Sequence, residues 1–154
     1  LHLVLLLVLF GALWAAFSVP AAAPLATFRL PGSAIDVAWS PDGRGLTFRK
    51  RDDPAWNVHR QDGGAGAPIP VTRFTEGRLL AHAWSPDGTR LAVIHRTAAG
   101  ANVWVTGPDG SRPTQVTQLS AMDVFALRWL PDSRRLAVQA GKLSRDVVLI
   151  RSFR

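Results

Sequence analysis

The side chains with the widest chemical repertoire in this sequence are its four histidines, His2, His59, His82 and His95. No two lie three to five residues apart, and the chain has no cysteine. The ligand spacing of a zinc site is therefore missing, and neither a thiolate site nor a disulfide can form. The pattern predicts packed or solvated histidines. Ser40 and Ser85 each precede proline, with no histidine recurring beside them and no G-x-S-x-G elbow, so no hydrolase nucleophile is indicated. The "GGAG" at 63–66 lacks the lysine and helix that would let glycines cradle a phosphate. Asp42, Asp87 and Asp132 are spread one to each third of the chain, and single carboxylates fall short of the six to eight oxygens calcium takes. Kinase signatures are absent too. We assign no catalytic residue, no metal ligand and no cofactor, and the chain reads as non-enzymatic.

What does recur is a turn. "AWSPDG" stands at 38–43 and again at 83–88, and "RWLPDS" follows at 128–133. Trp39, Trp84 and Trp129 are spaced by 45 residues, as are "PVTRFTEG" at 70–77 and "QVTQLSAM" at 115–122, and Asn57-Val58 and Asn102-Val103. The chain is three copies of one unit, about 26–70, 71–115 and 116–154. In the first two turns Pro41 and Pro86 preset φ, Asp42 and Asp87 tolerate the next position, and Gly43 and Gly88 take the left-handed one. In the third copy, which keeps Pro131 and Asp132, Ser133 replaces the glycine at a cost of about 1 kcal/mol if that conformation is kept.

Each unit alternates short strands with tight turns. "AIDVAW" leads into the first turn and "GLTFRKR" returns from it, as do "RLAVIHR" at 90–96 and "RLAVQAG" at 135–141. Third strands are predicted at 56–61, 102–107 and 146–152, and fourth strands at 68–74 and 113–119. "PLATFRL" at 24–30 would be the fourth strand leading into the first unit. A repeat of 40–45 residues holding four strands is the pattern of a β-propeller blade. The predicted fold is all-β, a partial propeller of three blades after an N-terminal hydrophobic helix.

The string W-S-P-D-G, strands such as "RLAVI", then "NVWVTGPDG" and "VTQL", resemble the TolB-like, WD-type β-propeller repeat of bacterial proteins. The resemblance covers residues 26–154. It implies the fold strongly and an activity weakly. In proteins with such repeats, a protein kinase or a winged-helix regulator can precede a membrane segment, and the same repeat forms the lid of prolyl-oligopeptidase-like enzymes. None of the motifs of those partner domains is read within these 154 residues.

Within that frame the tryptophans are expected to pack each blade against the next, because a large aromatic repeated in register is how stacked sheets are held. The aspartates are expected to build turns. If the mouth of the propeller binds a ligand, Asp36, His82 and Arg128 are the residues expected there, near the start of the first strand of each copy. All but two of the 18 basic residues are arginine. Arg44, Arg90 and Arg134 fall beside the turns, and the one dense cluster, 49–51, is followed by Asp52 and Asp53. Without a basic face, nucleic acid is not an expected partner. A basic excess suits a position near an anionic membrane surface.

Residues 3–28, "LVLLLVLFGALWAAFSVPAAAPLATF", carry no charge. Residues 1–24 are expected to be a transmembrane helix or a cleaved signal segment, with a short linker marked by Pro20 and Pro24; a buried core helix is the remaining alternative. Either leading reading places the repeats at 25–154 outside the cytoplasm. Three blades do not close a ring, since propellers run from four to eight. The chain is expected to be the C-terminal part of a longer protein, or to pair with a second copy in a six-bladed ring. The expected function is a membrane-tethered, extracytoplasmic, non-catalytic module for protein interaction or ligand sensing. The alternative is the sensor domain of a membrane-bound Ser/Thr kinase or winged-helix regulator, with the propeller of a peptidase ranked last.

Overall fold

A computed structural model of the chain describes residues 28–63 and 66–142. The apolar run up to Thr27 and the strand predicted at 146–152 lie outside the described residues. Ten strands and no helix occur within them: β1 (Ile35–Trp39), β2 (Gly45–Asp52), β3 (Ala55–Asp62), β4 (Ile69–Pro70), β5 (Arg78–Trp84), β6 (Leu91–Thr97), β7 (Gly100–Thr106), β8 (Thr114–Gln115), β9 (Asp123–Trp129) and β10 (Leu136–Gly141). They form antiparallel sheets in chain order, β1-β2-β3-β4, β5-β6-β7-β8 and β9-β10. These are blades 1, 2 and 3. No described helix is long and apolar enough to cross a membrane.

Period-2 alternation decides what lies between the blades. Each middle blade has a leading face toward the blade before it and a trailing face toward the one after. Leu79, Leu91 and Val93 of blade 2 close on Val58 and Val71 of blade 1, with Trp56, Phe74, Trp84 and Trp104 around them. On the other side Ala92, Ile94, Ala101 and Val103 meet Val124 and Leu127 of blade 3, with Trp129, Leu136 and Val138. Fully burying one such aliphatic side chain contributes roughly 1.5–3 kcal/mol, so the stacking of blades holds the molecule together.

The turns explain the repeated hexapeptide. In blade 1 the Gly43 N–H donates to the Ser40 carbonyl (2.9 Å). The Asp42 carboxylate accepts from the Ser40 hydroxyl (2.6 Å) and the Arg44 N–H (3.1 Å). Asp87 repeats this with Ser85 (2.6 Å) and the Thr89 N–H (3.0 Å), and Asp132 accepts from the N–H groups of Arg134 (2.9 Å) and Arg135 (3.1 Å). The Ser40 hydroxyl and its neighbours hold the Asp42 carboxyl well below the carboxylate range, and those of Ser85 and Thr89 hold Asp87 at about 2. The turns also stack. Gly88, at φ 71°, lies so close to blade 1 that a Cβ there would come within 2.5 Å of the Pro41 Cβ. Ser133 keeps the left-handed backbone at φ 56°, and its hydroxyl accepts from the Asp87 N–H of blade 2 (3.0 Å). The substitution thus adds an interblade bond that offsets its strain.

Two expectations need correction. The fourth strands, expected over seven residues, are two residues each, β4 and β8. Proline offers no N–H to a ladder, and Pro68, Pro70 and Pro113 interrupt both. Side chains of the third strand take over. Asn57 Oδ1 accepts from the Thr72 hydroxyl (2.9 Å) and the Phe74 N–H (2.8 Å), while Thr72 Oγ1 accepts from the Val58 N–H (2.9 Å). Asn102 does the same with Thr117 (3.0 Å) and Leu119 (2.8 Å). The second correction concerns Trp39. The expected interblade packing holds for Trp84, whose indole donates to Thr47 Oγ1 of blade 1 (3.2 Å), and for Trp129, which donates to the Ala83 carbonyl of blade 2 (3.0 Å). Each tryptophan packs backward. Among the described residues Trp39 meets the edge of Phe28 (5.9 Å between ring centres) and is 63 % exposed, because no described blade precedes it.

Candidate functional site

Of the three residues expected at a ligand site, the fold brings two together. The first strand of blade 1 carries a β-bulge between Ile35 and Ala38, and Asp36 in it adopts φ 55°. Aspartate tolerates this left-handed backbone better than most residues. It directs the carboxylate across to blade 2, where Oδ2 accepts from the His82 backbone N–H (3.3 Å) and pairs with His82 Nδ1 (3.0 Å). Arg49 Nε donates to the same oxygen (2.9 Å), and its Nη1 donates to the Leu79 carbonyl of blade 2. Burial pushes the Asp36 carboxyl upward, but the hydrogen bond and charge of His82, with the charge of Arg49, bring it below its ordinary value. An ionised carboxylate only accepts, so Nδ1 of His82 carries a proton.

The far nitrogen, Nε2, lies 3.1 Å from the Thr47 hydroxyl. Hydroxyl, imidazole and carboxylate thus stand in the order that a Ser/Thr–His–Asp relay requires. Two observations separate this line from a working nucleophile. Thr47 and the His82 side chain are fully buried. The Thr47 oxygen already accepts the Trp84 indole N–H. A substrate carbonyl needs open approach to the hydroxyl and donors around the oxyanion it becomes, and the interior of the joint gives no approach. Chemically the cluster clasps blade 1 to blade 2 with charge-assisted hydrogen bonds.

Arg128 does not join the pair. It is exposed on β9, one blade further round. Thr47, Arg49 and Trp84 join Asp36 and His82 although spacing alone does not predict the contact. One repeat later, Thr47 and Arg49 correspond to Ala92 and Ile94, and His82 corresponds to Val37 and Leu127 in the other copies. Thr47 and His82 are polar where both other copies are apolar, Ala92 and Ala137 for the first and Val37 and Leu127 for the second, and they mark the joint that is built differently.

The other described histidines are packed as well. His59 Nε2 lies 2.6 Å from Asp52 Oδ2. His95 pairs through Nε2 with the Glu76 carbonyl (2.8 Å) and stacks on Phe74 (4.2 Å), with Trp104 edge-on to the phenyl ring (5.8 Å). A cleft of about 490 Å3 opens beside these three rings, with Arg73, Glu76 and Gln115 on its walls. Among the described residues no group of three or more acidic or histidine side chains could hold a metal ion.

Two solved structures share this arrangement of blades. A protein assigned as TolB from Agrobacterium tumefaciens superposes with a TM-score of 0.62 at 24 % identity, over 75 % of this chain. TolB from Acinetobacter baumannii superposes at 0.55 and 19 % identity, over 70 % of it. The chain has the TolB-like β-propeller fold. It spans 40 % and 28 % of the lengths of these two proteins, so the TolB-like unit described here is an arc of blades. No protein-family model matches the sequence, and no curated protein matches it.

Proposed function

We propose that the chain is a non-catalytic protein-interaction module, held at a membrane by its apolar segment at 1–24 with the TolB-like blades on the extracytoplasmic side. The observation that carries this reading is the location of its polar and apolar groups. The hydroxyl–imidazole–carboxylate line of Thr47, His82 and Asp36 is closed inside a blade joint, where it serves stability. Large apolar side chains, among them Ile69, Val116 and Met122, are exposed instead, and such groups favour contact with another macromolecule over chemistry on a small one. The lack of any charge from residue 3 to residue 24 supports the tether, since about 20 apolar residues match the hydrocarbon core of a bilayer.

A photo-crosslinking residue in place of Met122, irradiated in intact cells, tests the interaction. A discrete covalent adduct with another protein is expected, and it persists when the clasp is altered by Thr47→Val. Absence of any adduct at Met122 and at Ile69 would overturn the reading. Location is tested by fusing alkaline phosphatase, which is active only after export, behind Arg154. An inactive, full-length fusion would contradict the extracytoplasmic placement.

A further inference from the structure

The cleft of about 490 Å3 at Phe74, His95 and Trp104 lies between the segment that links blades 1 and 2 and the outer strands of blade 2. It is away from both ends of the arc, and further blades stacked there leave it as it stands. Its volume falls within the roughly 300–1,000 Å3 of small-molecule sites. The linking segment is pinned from both sides. Phe74 donates to Oδ1 of Asn57 in blade 1 (2.8 Å), and its carbonyl accepts from Nδ2 of the same residue (3.1 Å). His95 of blade 2 donates through Nε2 to the Glu76 carbonyl (2.8 Å). Gly77, at φ 77°, packs so closely that a Cβ there would lie 2.5 Å from the Arg96 carbonyl oxygen.

This fixed segment carries two charges of opposite sign into the cleft, Arg73 and Glu76. Neither makes an ion pair among the described residues. Glu76 is the chain's single glutamate. Every described aspartate carboxylate accepts a hydrogen bond, whereas that of Glu76 accepts none from a described residue. Two donors on the blade 2 wall stand equally free among the described residues. Asn102 Nδ2 has no acceptor there, although its counterpart in Asn57 donates to a carbonyl. The Trp104 indole N–H has none either, although those of Trp84 and Trp129 donate across their joints. The repeat itself does not call for these charges. Arg73 and Glu76 are Phe28 and Pro31 one copy earlier, and Gln118 and Ala121 one copy later.

We propose that the cleft binds a small zwitterion with an aromatic or large apolar side chain, a free amino acid or a dipeptide. Its carboxylate meets Arg73 and the free donors of Asn102 and Trp104, and its ammonium meets the Glu76 carboxylate. Its side chain lies against the Phe74 and Trp104 rings. The two charges decide the class. A simple anion would face the Glu76 carboxylate and a simple cation would face Arg73, whereas an occupant carrying both signs answers both walls. Because the segment bearing the charges is already held, little ordering opposes binding. The site goes beyond the interaction reading and does not depend on it.

Isothermal titration of the full 154-residue chain in mild detergent, with L-phenylalanine and with glycyl-L-phenylalanine, tests the proposal. Saturable binding of at least one is expected, at a dissociation constant below about 1 mM, and the tighter of the two names the source of the zwitterion. 3-Phenylpropionate lacks the ammonium and 2-phenylethylamine lacks the carboxylate. Each is expected to bind about tenfold or more weakly, and the better zwitterion is expected to lose as much on Glu76→Gln or Arg73→Gln. Both positions are exposed, so the circular dichroism spectrum of each variant is expected to match that of the native chain. No saturable binding of either zwitterion, a one-charge probe that binds as tightly, or full affinity in a folded Glu76→Gln chain overturns the proposal. A chain that binds neither zwitterion but forms the Met122 adduct removes the ligand site alone and leaves the interaction module standing.

Discussion

At Asp36 three features converge that would each be costly alone: a left-handed backbone at φ 55°, a partly buried carboxylate and a bulged strand. What sustains them is the set of donors from His82 and Arg49. The folded carboxyl titrates below its ordinary value of 3.8. Its stabilisation is therefore fully present above the unfolded value and lost as pH falls through the lower folded one. Asp36→Asn is expected to lower stability by about 1 kcal/mol near neutral pH, less than for a fully buried pair because the carboxylate is open to water on one side. Melting curves of the two chains are expected to converge as pH drops below 3.8; a gap constant with pH would show that the charge plays no part. Ser133 makes the complementary case. Ser133→Gly relieves the left-handed strain and loses the bond to Asp87, two effects of about 1 kcal/mol each, so little net change is expected. Ser133→Ala keeps the strain and loses the bond, and urea unfolding is expected to show a loss of about 1 kcal/mol.

Among the elements, the fourth strand shows where legibility in the sequence stops. The 45-residue repetition of Asn-Val and of Val-Thr was visible, and strands β1 to β3 and β5 to β7 lie where alternation and turn chemistry placed them. The length of β4 and β8 was not legible, because a strand pattern with prolines does not reveal that an asparagine on the neighbouring strand replaces the ladder. Asn102→Ala would leave the Leu119 N–H and the Thr117 hydroxyl without their acceptor, at an expected cost of about 1–2 kcal/mol. Hydrogen exchange at Val116 to Leu119 should accelerate while β5 and β6 stay protected; protection unchanged in both places would deny Asn102 its role. The Asp36–His82 pair was legible only as a neighbourhood. Its partners come from a second strand of blade 1 and from blade 2, so contact depends on how sheets stack, which one-dimensional spacing does not encode.

For the molecule as a whole, stability resides in the joints between blades, and the repeated hexapeptide is the part of each joint that sequence displays. Gly88→Ala sets a methyl group 2.5 Å from Pro41 and adds left-handed strain, so a loss above about 2 kcal/mol is expected, against about 1 kcal/mol for Gly43→Ala, where the methyl group meets no described atom within 4 Å. Equal losses would mean that the turns do not stack. The most direct test of the joints is urea unfolding of Trp84→Ala and Trp129→Ala beside the native chain, followed by circular dichroism. If each tryptophan docks on the blade before it, each variant loses about 3 kcal/mol or more. Losses below 1 kcal/mol in both would contradict the register of stacking on which the fold and the buried clasp both depend.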